Sequence, residues 1–160
     1  GKWVYFISIP ELDGPSRLCK VSIDGGDPIE LAVGARLIHD ISRKDGSILY
    51  SDQNVLQLKS IKIMSPSDPS KIKTVAKPAQ IVDSFVRWSV DGRYLMISDR
   101  KNRPFDSLQT VMLTGKMLPK PLITFPTWIG DYGWTKDGKQ LGFISGTSIS
   151  EGVIITNKAN

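Results

Sequence analysis

Trp88-Ser89-Val90-Asp91-Gly92-Arg93-Tyr94-Leu95-Met96-Ile97-Ser98 is the stretch on which the fold turns. An Asp-Gly pair between two apolar runs is a strong hairpin signal, because both residues tolerate positive φ. The run after it, Tyr94-Leu95-Met96-Ile97, is nearly continuous in apolar character, as expected of a strand covered on both faces. Two other stretches read as the same unit. They are Ile41-Ser42-Arg43-Lys44-Asp45-Gly46-Ser47-Ile48-Leu49-Tyr50-Ser51 and Trp134-Thr135-Lys136-Asp137-Gly138-Lys139-Gln140-Leu141-Gly142-Phe143-Ile144-Ser145.

The Asp-Gly pairs stand at 45, 91 and 137, a constant spacing of 46, so the three stretches read as one ungapped repeat. That period falls in the range of four-stranded propeller blades. A fourth copy opens the chain: Gly1-Lys2-Trp3-Val4-Tyr5-Phe6-Ile7-Ser8 matches Gly138 to Ser145 at Gly, Lys, Phe, Ile and Ser. It starts after its Asp, so any targeting segment would lie upstream of Gly1. Each Asp-Gly strand leads to a less regular strand, such as Ser107–Leu113. In the first unit the turn Asp24-Gly25-Gly26-Asp27-Pro28 then gives an outer strand from Ile29. Later copies of that turn, at Pro66–Pro69 and Thr114–Lys116, are degenerate.

The strand count is three, four, four and three. No apolar pattern of helical period is long enough to be a helix. The expectation is therefore all-β: a single domain, 1–160, of about four four-stranded antiparallel propeller blades. They fall near 1–34, 35–78, 79–127 and 128–160, a partial propeller or half-ring. At 40% hydrophobic and 23% charged, the 160 residues have an ordinary globular composition.

The residues resemble the TolB-type, WD-like propeller repeat, whose pattern is Trp-Ser-Pro-Asp-Gly-Lys followed by an apolar strand ending in Ser. Asp24-Gly25-Gly26-Asp27-Pro28-Ile29-Glu30-Leu31 resembles the segment that closes such a blade. The departures are Val90 and Lys136 for the usual Pro, and Ile41 for Trp. The stretch from Gly146 to Asn157 is similar to the last blade of bacterial proteins in which a propeller follows a winged-helix regulator or a Ser/Thr kinase domain. The resemblance implies the C-terminal part of a larger bacterial sensor-type protein facing the periplasm or another extracytoplasmic space. It also implies six or seven blades in a closed ring, completed upstream or by a second copy of the chain.

Little in the sequence points to catalysis. His39 is the one histidine and Cys19 the one cysteine. Adjacent strand positions face opposite ways, so Asp40 is poorly placed to orient His39. No Gly-x-Ser-x-Gly elbow, calcium loop or phosphate loop occurs, and one His and one Cys far apart do not make a zinc site. No enzyme activity, cofactor or metal is expected. No run approaches the ~18 apolar residues that span a bilayer, so no membrane insertion is expected. The net charge of +5 suits an anionic polymer. The positive charges are scattered apart from Lys59, Lys62, Lys71, Lys73 and Lys77, so a nucleic-acid partner is not expected.

The expected function is protein interaction or ligand sensing at one propeller face, with a homodimer completing the ring as a further expectation. The alternative is a propeller accessory to a prolyl-oligopeptidase-like hydrolase. Binding candidates are Asp40, Asp83 and Asp131, placed in entry loops before the innermost strands and not repeat-equivalent. Trp128 at a blade junction, and Arg100 and Arg103 in the basic loop 100–106, complete the set. Trp88 and Trp134 are expected in the core.

Overall fold

The computed structural model describes residues 1–10, 14–53, 59–76, 85–99 and 106–146. Among them there is no helix, and thirteen strands form four antiparallel sheets. The first sheet has the order β1 (Trp3–Ser8), β2 (Arg17–Ser22), β3 (Ile29–Val33). The second runs β4 (Ala35–Ile41), β5 (Ile48–Gln53), β6 (Lys59–Ser65), β7 (Asp68–Ala76). The third is β8 (Val86–Trp88), β9 (Tyr94–Asp99), β10 (Asp106–Met112), β11 (Ile123–Phe125), and the fourth pairs β12 (Trp128–Trp134) with β13 (Leu141–Gly146). Each is a meander of sequential strands, the construction of propeller blades. The third strand expected in the last unit lies outside the described residues.

Asp-Gly does make the hairpins, through a turn other than the two-residue one the pair suggests. In the third sheet the Gly92 N–H donates to Ser89 O, and the Ser89 N–H donates to Tyr94 O. Gly92 takes φ 67° and Gly138 takes φ 71°. The Asp91 carboxylate accepts from Ser89 Oγ and from the Arg93 N–H, and Asp137 does the same with Thr135 Oγ1 and the Lys139 N–H. In the second sheet Gly46 N–H reaches Ser42 O, one residue further back.

The gapless alignment is therefore corrected. The hydrogen-bonded frames begin at Ser42, Ser89 and Thr135, which are 47 and 46 residues apart, although the Asp-Gly pairs keep their spacing of 46. The β4–β5 turn holds one more residue before its glycine. In this frame Asp40, Arg87 and Gly133 are equivalent, as are Ile41, Trp88 and Trp134.

Burial follows the corrected frame. In β5, Ile48 and Tyr50 face the first sheet with Leu18 and Leu31, while Leu49 faces the third with Val86, Trp88, Leu95 and Ile97. In β9, Leu95 and Ile97 face back to the second sheet, and Met96 faces forward to Leu108, Phe125, Ile129 and Tyr132. Successive side chains of one strand thus enter different inter-sheet layers, which is why the strand reads as a continuous apolar run. Each such side chain contributes about 1.5–3 kcal/mol by leaving water. Trp88 is buried, as expected, while Trp134, also expected in the core, is only partly buried beside Tyr132 and Leu141.

The outer edge of the third sheet is broken. Met117 bridges Val111, and the Leu118 and Leu122 N–H groups bond Thr110 O and Leu108 O, before β11 resumes at Ile123. Pro119 and Pro121 lack the N–H a continuous ladder needs.

Candidate functional site

The inner strands β4, β8 and β12 converge at the ends that lead into the Asp-Gly turns. They enclose a cleft of about 160 Å³ lined by Asp40, Arg43, Arg87, Trp88, Gly133 and Trp134, among others. All three members of each equivalent set, Asp40/Arg87/Gly133 and Ile41/Trp88/Trp134, line it. The repeat itself builds this cleft.

Arg87, on the middle strand, holds its walls together. Its Nη1 donates to the His39 carbonyl on β4. On the other side its Nη2 meets both Asp131 oxygens at 3.0 and 3.1 Å, and its Nε donates to Tyr132 O at 3.3 Å. Asp40 supplies the reciprocal tie: its Oδ2 accepts the Trp88 N–H at 2.9 Å and its Oδ1 accepts the Ile41 N–H at 2.8 Å. Beneath them the buried Tyr132 hydroxyl lies 2.7 Å from Met96 O and 2.9 Å from Phe85 O, acceptors on the third sheet. Burial pushes the Tyr132 phenol far above its usual range.

Arg43 reaches furthest. From the β4–β5 turn its guanidinium crosses to the fourth sheet and donates to Trp134 O, Thr135 O and Lys136 O at 3.1, 2.9 and 3.3 Å. Among the described residues no carboxylate forms an ion pair with it.

Of the sequence candidates, Asp40 and Asp131 come together on either side of Arg87. Both lie within strands β4 and β12, which corrects their placement in entry loops. The inner strands begin earlier than the apolar pattern suggests, because β-bulges at Ile38/Asp40 and Ile129/Asp131 interrupt the alternation that marks a strand. Trp128 opens β12 but stands apart from the cleft, its ring over Gly130 and Gly146. Asp83, Arg100 and Arg103 lie outside the described residues. In the lysine cluster, Lys62 pairs with Asp52 and Lys71 with Asp68, so part of its charge is neutralised internally.

Arg87 and Arg43 carry the geometry and were not singled out from sequence. The signal existed: in the frame set by the turn serines, an Asp and an Arg occupy the same position of adjacent units. Reading on Asp-Gly displaces them by one residue. Among the described residues, no group of three or more His, Cys, Asp and Glu is placed to hold a metal.

No protein-family model matches the chain, and no curated protein matches it. A solved structure does. The chain is similar to a β-propeller chain in "Crystal structure of Nidogen/Laminin Complex", with TM-score 0.63 and 17% identity over 90% of this chain and 52% of that one. The chain thus spans about half the length of the structure it matches, and the fold is that of a partial β-propeller.

Proposed function

We propose that this chain is a non-catalytic protein-binding module of TolB-like type, which takes its partner on the face where the inner strands end. One observation carries the reading: three consecutive blades deliver repeat-equivalent residues to one cleft, locked by Arg87 and ringed by short turns. Rigid strands presenting loops around a central opening suit recognition. Arg87 and Asp40, at the centre of the cleft, are engaged in bonds within and between blades, which supports holding a shape over bond-making chemistry. The solved neighbour comes from a structure of a protein complex. A second copy of the chain meeting the terminal sheets, whose outer faces are uncovered among the described residues, belongs to the same proposal.

The test is face-specific capture. The protein and its Arg43→Glu/Lys136→Glu and Lys71→Glu/Lys73→Glu variants are immobilised and their retained proteins quantified. The first variant loses a partner that the second keeps. Equal retention by both, or turnover of a peptidase or esterase substrate, overturns the reading.

A further inference from the structure

We infer that the cleft is a carboxylate subsite that accepts an acidic side chain of the bound partner. This rests on the protein-binding reading and specifies what the cleft selects.

The charges around the cleft separate into spent and unspent. Arg87 is neutralised by Asp131 and also engages three carbonyls, while Asp40 accepts two main-chain N–H groups. The rim carboxylates are committed to their own turns: Asp45 to the Ser47 N–H, Asp91 to Ser89 and Arg93, Asp137 to Thr135 and the Lys139 N–H. Arg43 differs, because among the described residues its bonds go to neutral carbonyls and no carboxylate pairs with it. Lys44 and Lys136, its neighbours on the rim, are exposed and form no ion pair among the described residues.

A guanidinium held in place by three carbonyls is preorganised for an anion and loses little entropy on binding it. The walls beside it include Ile41, Val90 and Trp134, which suit a short methylene stem. Trp88 and Trp134 also line the cleft, and their indole N–H groups, buried with no acceptor among the described residues, serve as reporters of its occupancy. The volume, about 160 Å³, fits one side chain and not a polymer. A small, partly apolar cleft whose Arg43 guanidinium has no carboxylate partner among the described residues, and whose own carboxylate, Asp40, is turned to main-chain N–H groups, selects a carboxylate on an aliphatic stem.

The probe is the blocked tripeptide acetyl-Ala-Glu-Ala-amide against its Gln twin, added to the ¹⁵N-labelled protein. The readout is the side-chain N–H resonances of Trp88, Trp134 and Arg43. The Glu peptide shifts them saturably and binds about tenfold more tightly than the Gln peptide. Arg43→Gln lowers its affinity about tenfold. Asp40→Asn keeps an oxygen for the Trp88 N–H and removes the negative charge that Asp40 brings to the cleft. It tightens binding about threefold, whereas a site for cations would weaken.

Equal binding of the Glu and Gln peptides overturns the subsite, as does weakening by Asp40→Asn in a variant with a native-like spectrum. A response of Trp3 and Trp128 equal to that of the cleft resonances does the same. Acetate matching the peptide assigns the cleft to free carboxylates and overturns the partner side chain as occupant. If the peptides fail while capture still depends on Arg43 and Lys136, the subsite falls and the binding face stands. If capture fails as well, both fall.

Discussion

β9 and β13 descend from the same repeat and occur in the same place in their sheets, yet they live in different solvents. Leu95, Met96 and Ile97 are 0, 0 and 1% exposed, while Phe143 and Ile144 are 49 and 64% exposed. The difference lies in the neighbours. Among the described residues the third sheet is covered on both sides, and the fourth only by the third. Its far face is a groove containing Gly133, Gly142 and Ile144, with nothing over it among the described residues. The first sheet mirrors this at the other end, with Val4 and Val33 exposed. A blade's apolar pattern therefore states what it is built to meet, and stability comes from the meeting.

Substitutions break this comparison most sharply at its covered end. Met96→Ala removes a fully buried side chain between two sheets and costs about 2–5 kcal/mol, while Ile144→Ala stays within about 0.5 kcal/mol. Parallel urea melts check both, and equal losses would show that the far face of the fourth sheet is covered.

Gly115 tests the outer edge of the same stack. It sits at φ 87°, and a Cβ there would stand 2.7 Å from Val75 O, main chain of the neighbouring sheet. Gly115→Ala is expected to cost about 2–3 kcal/mol through strain at both sheets. Gly133→Ala, which meets open space, costs less than half of that in the same melt.

Arg87→Met keeps much of the stem and drops the five N–H groups that span three blades. The expected loss is about 1–2 kcal/mol, discounted because Asp131 is partly exposed. Hydrogen exchange should locate the loosening at β4 and β12 together, and protection lost at one alone would refute the bridge.

The smallest effect is electrostatic. Bonds from Ser89 and Arg93 hold the Asp91 carboxyl down at about 2, below its ordinary 3.8. A depressed carboxylate stabilises the fold above its unfolded value, and the contribution is lost as pH falls from about 4 toward 2. Asp91→Asn should therefore flatten the acid limb of the stability profile and change little at pH 7. A parallel offset at all pH values would show that the carboxylate acts by shape alone.

The fold was legible in the sequence because its signals are local. Asp-Gly before an apolar run needs only a few residues to be read, and a strand buried on both sides needs no alternation. The site was half legible. Asp40 and Asp131 drew notice as acids, but their strands were hidden by bulges, and Arg87 looked like one cation among many. What makes Arg87 matter is the simultaneous arrival of His39, Tyr132 and Asp131 from two other sheets, which no single stretch of chain encodes. The extra residue in the β4–β5 turn concealed the rest, since it breaks the register between Asp-Gly and the inner strand.

That longer turn has a consequence for how the molecule unfolds. An array of repeats that touch only their nearest neighbours melts like a one-dimensional chain of weakly coupled units, fraying from its ends. Arg43 links the second unit directly to the fourth, over the top of the third. The fourth unit, whose far face is uncovered among the described residues, would otherwise be the first to fray. Tied to a unit two places away, it is made to open in concert with the interior, so these three blades behave as one cooperative block.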